Sequence, residues 1–548
     1  MSKAKRIWRG DVMRKRILAL LLVLTMLCSL AACGKTESES DSNSDYSTAL
    51  FGSDVITVDI TADQDEWDNM IENASSKPTI SADVKINGEA YKDVSIKTKG
   101  NTSLQQVASS DSDRYSLKIN FGKNMEGQTC HGLDKLVLNN IYGDSTYMKE
   151  YMSYALMQYM EVPSSLSTFA EITVNGEHYG FCLAVEDVDD SFLERNYGED
   201  FSGTAYKPES MEMNGEQGQN KQSNKTGNTS GSAVLTGDNT QPPGNPPQGN
   251  HNDQGNPPNG GGGQMNGGSK GVNLVYSDDN PDSYSNIFDN AITKTDEEDE
   301  NRLIASLKAI NEGEDLEKYI EVDEVLRYAA VNVFLVNLDS YFSNMGHNYC
   351  LAENNGKLSM LPWDYNLSFG THQVSSASDA VNYPIDTVFY NVDADERPII
   401  SKLLENEEYQ ATYHKYLQQL SDYVSSGKFA DKVDSVSAAI DSYVKNDTTS
   451  FDGYDAFVSG VKALKTFANL RAESVAGQLD GSIPSTEEEQ KDSTALIDSG
   501  DFNLKDLGGM SNGGGGGGHQ GGMNPPQEGM IPPGNQQQKE DEKTNTSS

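Results

Sequence analysis

Apolar and polar residues alternate with a period of two in VITVDIT (55–61), and a short acidic amphipathic stretch, DQDEWDNMIENA, follows. The first predicts a strand and the second a helix. ISADVKINGEAYKDVSIKTKG (80–100) reads as two strands joined at Asn87-Gly88, and FAEITVNGEHYGFCLAVE (169–186) as a second Asn-Gly hairpin, the strongest short-range hairpin signal. Between them, YSLKINF (115–121) puts Tyr115, Leu117, Ile119 and Phe121 on one face and Ser116, Lys118 and Asn120 on the other. DSTYMKEYMSYALMQYM (144–160) opens on Asp-Ser and carries apolar residues at 148, 152, 155, 156 and 159. It predicts a capped helix packed on the strands. In the second half the apolar period becomes helical, over 301–312, 316–338 and a series of amphipathic stretches through about 480.

Two stretches break these patterns. Residues 208–272 hold Gly, Asn, Gln, Pro and Ser with almost no apolar side chains, and a similar composition returns from 481 to 548. Neither buries enough apolar surface to offset the entropy of ordering, so both are expected to be disordered. The predicted organisation is a signal segment (1–33), a polar tether (34–54), a β-rich part (55–207), the insertion (208–272), a helical part (273–480) and the tail (481–548).

Residues 1–33 join a basic start to the apolar run ILALLLVLTMLCSL and then Leu30-Ala31-Ala32-Cys33. This is the layout of a secretory signal peptide, and its ending resembles a bacterial lipobox in which Cys33 carries lipid. The expectation is an exported protein held by that lipid on the outer face of the cell membrane. The apolar run is short for a spanning helix, and no other segment is apolar and long enough to span. Only Cys130, Cys182 and Cys350 remain, without metal-ligand spacing; Cys182 and Cys350 sit in apolar strand patterns and are expected to be buried. The formal net charge is −41, which argues against nucleic acid as a partner.

The chemistry concentrates in NLDSYFSNMGHNYCLAENNGKLSMLPWDYNLSFG (337–370). Asp339 follows a long apolar helix pattern, and Asp364 sits at the end of an apolar strand beside Trp363. A buried carboxylate there needs a basic group, backbone N–H groups or a metal. The order is helix, Asp339, loop, Asn348, strand, Asn-Gly turn, strand, Asp364. It matches the order of catalytic Asp, metal-binding Asn and metal-binding Asp in a protein kinase. Asp339 and Asn348 stand farther apart than the corresponding kinase pair. His347, a lone loop histidine, is given no chemical role. No Gly-x-Ser-x-Gly, His-Glu-x-x-His or Walker loop is present.

HNYCL and GKLSMLPWDYNLSFG, together with KTKGNTS (97–103), YSLKINF, LDKLVLNNIYGDSTYMKEYMSYALM (133–157) and ITVNGEHYGFCLAVEDVDDSFLERNYG (172–198), resemble the CotH family, the spore-coat-protein-H type of atypical protein kinase. The resemblance implies an α+β, two-lobed kinase-like fold with a β-rich N-lobe and a helical C-lobe. It also implies transfer of the ATP γ-phosphate to Ser or Thr of exported or coat proteins, with Mg²⁺ or Mn²⁺. In that assignment Asp339 handles the acceptor hydroxyl, and Asn348 and Asp364 hold the metal. Lys118 contacts the nucleotide phosphates beneath Lys99, Gly100, Asn101 and Ser103, with Lys149 and Lys207 as rivals to Lys118. Glu186 pairs with Lys118, helps bind metal or caps the following helix. Lys97 and Lys99 stand where the family usually carries arginine. The alternative, suggested by the scarcity of ATP outside cells, is a catalytically inactive surface module that binds or builds.

Overall fold

The computed structural model describes residues 45–209 and 271–510. The signal segment with Cys33, most of the tether, nearly all of the insertion and the end of the tail lie outside the described residues. The protein is α+β, β-rich in its first half and helical in its second.

Seven strands close into a barrel: β1 (Val55–Ala62), β2 (Thr79–Ile86), β3 (Glu89–Lys99), β4 (Ser116–Asn120), β5 (Lys135–Asn139), β6 (Ser167–Val174) and β7 (Glu177–Glu186). Their order is β1-β2-β3-β4-β5-β7-β6, and a parallel pairing of β1 with β6 (Val58 opposite Ile172) completes the ring. Both Asn-Gly turns form as expected, each Asn at φ +51°, as a two-residue hairpin turn requires. Closure is what the alternation pattern did not anticipate. It buries Ile56, Val58, Ile60, Leu117, Ile119, Leu136 and Leu138 in one interior and removes the sheet edges. Strand β7 reads as a continuous apolar run because both faces are covered. Cys182 and Ala184 fill the barrel, whereas Phe181, Leu183 and Val185 join the larger helical core. Two short helices, α1 (Gln64–Glu72) and α2 (Thr102–Ala108), decorate the barrel.

Helix α3 (Lys149–Tyr159) is shorter than the 144–160 pattern suggests. Asp144 does not cap it as the N-cap residue. Its carboxylate instead receives the backbone N–H groups of Thr146 (3.0 Å) and Lys149 (2.8 Å) across a preceding turn. Beyond β7 come α4 (Asp190–Tyr197) and β8 (Thr204–Tyr206). Strand β8 leaves the barrel and pairs with β9 (Tyr349–Asn354), itself paired with β10 (Lys357–Pro362) in a separate three-stranded sheet. Helices α5 (Glu297–Glu312), α6 (Val322–Phe334), α7 (Glu407–Ser425), α8 (Lys428–Asn446) and α9 (Tyr454–Asp480) pack against that sheet and the barrel wall. The predicted 316–338 helix is interrupted at Ile320, which bridges Leu358 of β10.

Segment 447–452 fixes the helical region to the barrel. The Arg114 guanidinium donates to Asp447 at 2.7 Å with both side chains out of solvent. Ser450 accepts from the Tyr147 hydroxyl, Phe451 packs on Tyr142, and Asp452 accepts from Ser145. Packed structure continues past the predicted end at 480. Ile483 and Leu507 are buried, and the described chain runs to Met510. The end of the expected tether is likewise packed, with Tyr46 and Leu50 in the barrel core. Cys130, Cys182 and Cys350 are unpaired and buried. Burial pushes their thiols up to about 12, 11 and 12, respectively. Among the described residues no helix is long and apolar enough to cross a membrane.

Candidate active site

A cavity of about 310 Å³ opens between the barrel and the helical region, within the usual size range of small-molecule sites. Its barrel wall comes from Lys77, the end of β3 (Lys97, Thr98, Lys99), the following Gly100–Ser103, Lys118 of β4 and Val137 of β5. The opposite wall comes from Lys207, Glu209, Asp339, His347, Asn348, Trp363, Asp364 and His372. Eight of the nine residues named from the sequence for catalysis, nucleotide or metal line this one cavity.

Helix α6 delivers Asp339. Its last carbonyls, on Val333 and Phe334, accept from the buried Arg471 guanidinium at 3.0 and 3.3 Å, a basic group at a helix C-terminus. The loop beyond Asp339 is held the same way. Arg397 Nε donates to the Tyr341 carbonyl at 2.6 Å, and its terminal nitrogen donates to Ser343. Two buried arginines therefore spend their hydrogen bonds on backbone carbonyls that would otherwise be orphaned, and in doing so they shape the loop.

Asn348 Nδ2 donates to the Asp339 carbonyl at 2.8 Å and to its carboxylate at 3.0 Å. His347 Nε2 lies 2.6 Å from the other carboxylate oxygen, and His372 Nε2 lies 3.8 Å from the same atom. Burial works to raise the Asp339 pKa, but His347, His372 and Asn348 outweigh it and hold the carboxylate below its usual range. Burial pushes His372 down, with the Asp339 charge opposing and His347 adding to the shift.

Asp364 follows β10. Its backbone N–H donates to the Tyr154 hydroxyl at 3.3 Å, while its carboxylate takes no hydrogen bond or ion pair among the described residues. The next residue, Tyr365, is fully buried and donates to Asn332 of α6 at 2.8 Å. Asn348 and Asp364 both hold left-handed backbones, at φ +55° and +60°. Such strain costs free energy and persists only where surroundings enforce it. A divalent metal fits this donor set: Asn348 keeps its side-chain oxygen while its nitrogen binds Asp339, and Asp364 offers an unengaged carboxylate. Both are hard oxygen donors, and magnesium is commonly held by one or two protein oxygens plus substrate phosphates. Among the described residues no group of three or more His, Cys, Asp or Glu forms a metal cage.

The lysines divide by partner. Lys118 is ion-paired with Asp187, so the pairing with Glu186 allowed for it is not made. Glu186 lies outside the cavity with no exposed surface. It binds Arg195 (2.9 and 2.5 Å), the Tyr46 hydroxyl (2.6 Å) and the Leu166 N–H (2.9 Å). A strand's last residue faces inward or outward by register, and here the register turns Glu186 inward, while Asp187 meets Lys118. Lys149 is also outside the cavity. Its ammonium is buried against the Gly143 carbonyl and Thr371 hydroxyl, and burial brings it down to about 8 against the pull of Asp144. Lys207 and Lys99 both project over the Trp363 ring, at 5.3 and 5.6 Å from its centre, a cation–π arrangement. Lys97 stands opposite Lys118 in the strand register; burial lowers its pKa, and Lys118, Lys77 and Lys123 add to that. Gly100, at φ +104°, turns the chain into α2. A side chain there would meet Ser103 Oγ at 2.8 Å. Ser103 thus belongs to a helix rather than to the open loop expected. Asn101 accepts from Lys77 at 2.9 Å.

Sequence pattern does not single out Asn139, Glu150 or His372. Lys99 Nζ donates to Asn139 at 2.7 Å, and Asn139 donates to Glu150 of α3 at 2.7 Å. Burial and the nearby Asp364 raise Glu150 to about 7, with Lys99, Asn139 and Tyr154 opposing. Both residues lie inside the 133–157 block that carries the family resemblance, the one signal that pointed toward them.

A family model described as CotH kinase protein matches residues 96–241 and 248–475. That span covers more than half of the chain and every cavity-lining residue except Lys77 and Met510. The chain belongs to the CotH kinase protein family. Membership in CotH points to a protein kinase. No curated protein matches the chain.

Proposed function

We propose that this CotH-family chain is a metal-dependent protein kinase that moves the ATP γ-phosphate to Ser or Thr of exported, surface or coat proteins. In this reading the closed barrel serves as the N-lobe of a kinase-like pair and the helical region as the C-lobe. A lipid on Cys33 holds the protein to the outer face of the membrane. The observation that carries the reading is the convergence of Asp339, Asn348 and Asp364 on one lysine-lined cavity.

Phosphoryl transfer depends on positioning and charge neutralisation. The cavity supplies cations from Lys99, Lys118, Lys97 and Lys207 for the nucleotide phosphates. Asn348 Oδ1 and Asp364 would hold Mg²⁺ or Mn²⁺, which when bound neutralises phosphate charge. Asp339 orients the acceptor hydroxyl and takes its proton as the new oxygen–phosphorus bond forms and the bond to the ADP oxygen breaks. Asn348 and His347 fix the direction of that carboxylate.

The test is mass spectrometry of casein-like and basic Ser-rich peptides after incubation with ATP, Mn²⁺ or Mg²⁺ and the detergent-solubilised full chain. Phosphate on Ser or Thr supports the reading. Absence of transfer together with no nucleotide-dependent rise in melting temperature supports a binding or structural module instead.

A further inference from the structure

Three side chains link the cavity lysine to the backbone of the metal-ligand candidate. Lys99 Nζ donates to Asn139 Oδ1 at 2.7 Å, and Asn139 Nδ2 donates to Glu150 Oε2 at 2.7 Å. The Tyr154 hydroxyl donates to Glu150 Oε1 at 2.9 Å and accepts from the Asp364 N–H at 3.3 Å. Asn139, Glu150 and Tyr154 are all buried. The chain runs from β3 through β5 and α3 to Asp364 beyond β10.

We infer that Asn139 is a positioning residue, an amide relay that joins Lys99 to Glu150 in place of a direct lysine–carboxylate pair and so sets where the Lys99 ammonium meets the nucleotide phosphates. The role rests on the reading of the cavity as a nucleotide site. The residue type follows from the two bonds. Lys99 offers donors alone, and Glu150 here receives two donors, from Asn139 and Tyr154. A side-chain amide presents an acceptor to the first and a donor to the second from one fixed plane. An aspartate of the same shape satisfies Lys99 but turns a second acceptor onto Glu150. Alanine leaves the buried carboxylate short of a donor and the ammonium without its guide. The Trp363 ring also meets the Lys99 ammonium, a cation–π contact less directional than the hydrogen bond to Asn139. Glu150 acts in the relay as an acceptor of two neutral donors. Glutamine can still accept from Asn139 there, so the relay tolerates loss of the charge but not of the side chain.

Two readouts test the relay on the full chain. In the first, nucleotide-free protein is labelled with an amine-acylating reagent, and the modification rate of Lys99 is followed by peptide mass spectrometry. Asn139→Ala and Glu150→Ala should each change that rate several-fold, Glu150→Gln should leave it near wild type, and the rate at the exposed Lys92 serves as control. In the second, kinase kinetics should show KM for ATP raised about tenfold in Asn139→Ala, the scale of one lost hydrogen bond to a charged group, with kcat much less affected. The Asn139 effect should vanish in a Lys99→Met background. Unchanged Lys99 labelling in folded Asn139→Ala protein overturns the relay whether or not the protein is a kinase. So does an Asn139 effect that persists undiminished without Lys99, which would mark a purely structural role. Absence of ATP turnover by wild type, with labelling as expected, overturns the kinase reading and leaves the relay standing.

Discussion

Asn348 donates its side-chain amide to both the carbonyl and the carboxylate of Asp339, at 2.8 and 3.0 Å, across nine residues of sequence. That bridge answers the unusual spacing of the two residues. The longer loop folds back on itself and restores contact, with Tyr341 and Ser343 carbonyls pinned by Arg397. Asp339→Asn keeps the shape and removes the base. It should lower kcat by about 10²–10⁴-fold, the range for general acid–base groups, and lower the melting temperature, because the folded state favours the charged carboxylate. Steady-state kinetics beside thermal melting checks this.

Glu186 tests the opposite expectation. Its carboxylate is wholly buried on Arg195, and losing one partner of a buried pair costs about 3–5 kcal/mol. Glu186→Ala should therefore lower the denaturation midpoint strongly. The protein that remains folded should bind ATP with wild-type affinity, as measured by titration calorimetry at low temperature. Weakened nucleotide binding in that folded fraction would return Glu186 to the site.

The barrel and helical region should come apart at Arg114–Asp447. Both side chains are excluded from water, and Arg114 and Thr449 surround Gly180 so closely that a side chain there would meet Thr449 Oγ1 at 2.9 Å. Burial opposes the charge on Asp447, but Arg114, Thr449 and His178 hold its pKa below normal. Asp447→Ala should cost about 3–5 kcal/mol. Hydrogen exchange should show new opening at β4 and α3 with little change at the α7–α9 core.

Glu324 supplies a pH prediction away from the cavity. Burial raises it to about 7, with the Ser359 hydroxyl opposing and the charge of Glu321 adding. An unfolded glutamate titrates near 4.5. A folded pKa above the unfolded one gives stability that is fully present below about pH 4.5 and is lost as pH rises through about 7. Glu324→Gln should match wild type near pH 4 and exceed it by roughly 1–3 kcal/mol at pH 8. Denaturant melts at the two pH values decide it. An equal difference at both would contradict the buried, protonatable carboxylate.

The local elements were legible because their signals are local. Both Asn-Gly hairpins, β4 with Lys118 facing away from Leu117 and Ile119, and the β9–β10 pair carrying Asn348 and Asp364 follow from alternation and turn chemistry. Barrel closure was not legible, because the β1–β6 pairing joins residues far apart in sequence and leaves no periodic mark. For the same reason the pairing of β8 with β9 leaves no local mark in the sequence. In the site, the acidic residues and the Lys99–Ser103 stretch came from order and family resemblance. Which lysine takes which partner did not. Lys118 meets Asp187 rather than Glu186 by a one-residue change of strand face, and Lys149, reached by the same pattern, turns into the core. Asn139 and Glu150 read as an ordinary strand end and an ordinary helix polar residue until the fold brings them together. His347, given no chemistry from sequence, lies against the Asp339 carboxylate.

The central claim is that Asp339, Asn348 and Asp364 form one phosphotransfer centre. Transfer of radiolabelled γ-phosphate from ATP to a Ser-containing acceptor, by wild type and by Asp364→Ala with Mn²⁺ or Mg²⁺, tests it most directly. The account predicts metal-dependent incorporation by wild type and a loss of at least about 10²-fold in Asp364→Ala, comparable to removing a major electrostatic group from an active site, with the melting temperature retained. Equal incorporation by the two proteins, or incorporation that survives a chelator, would contradict it.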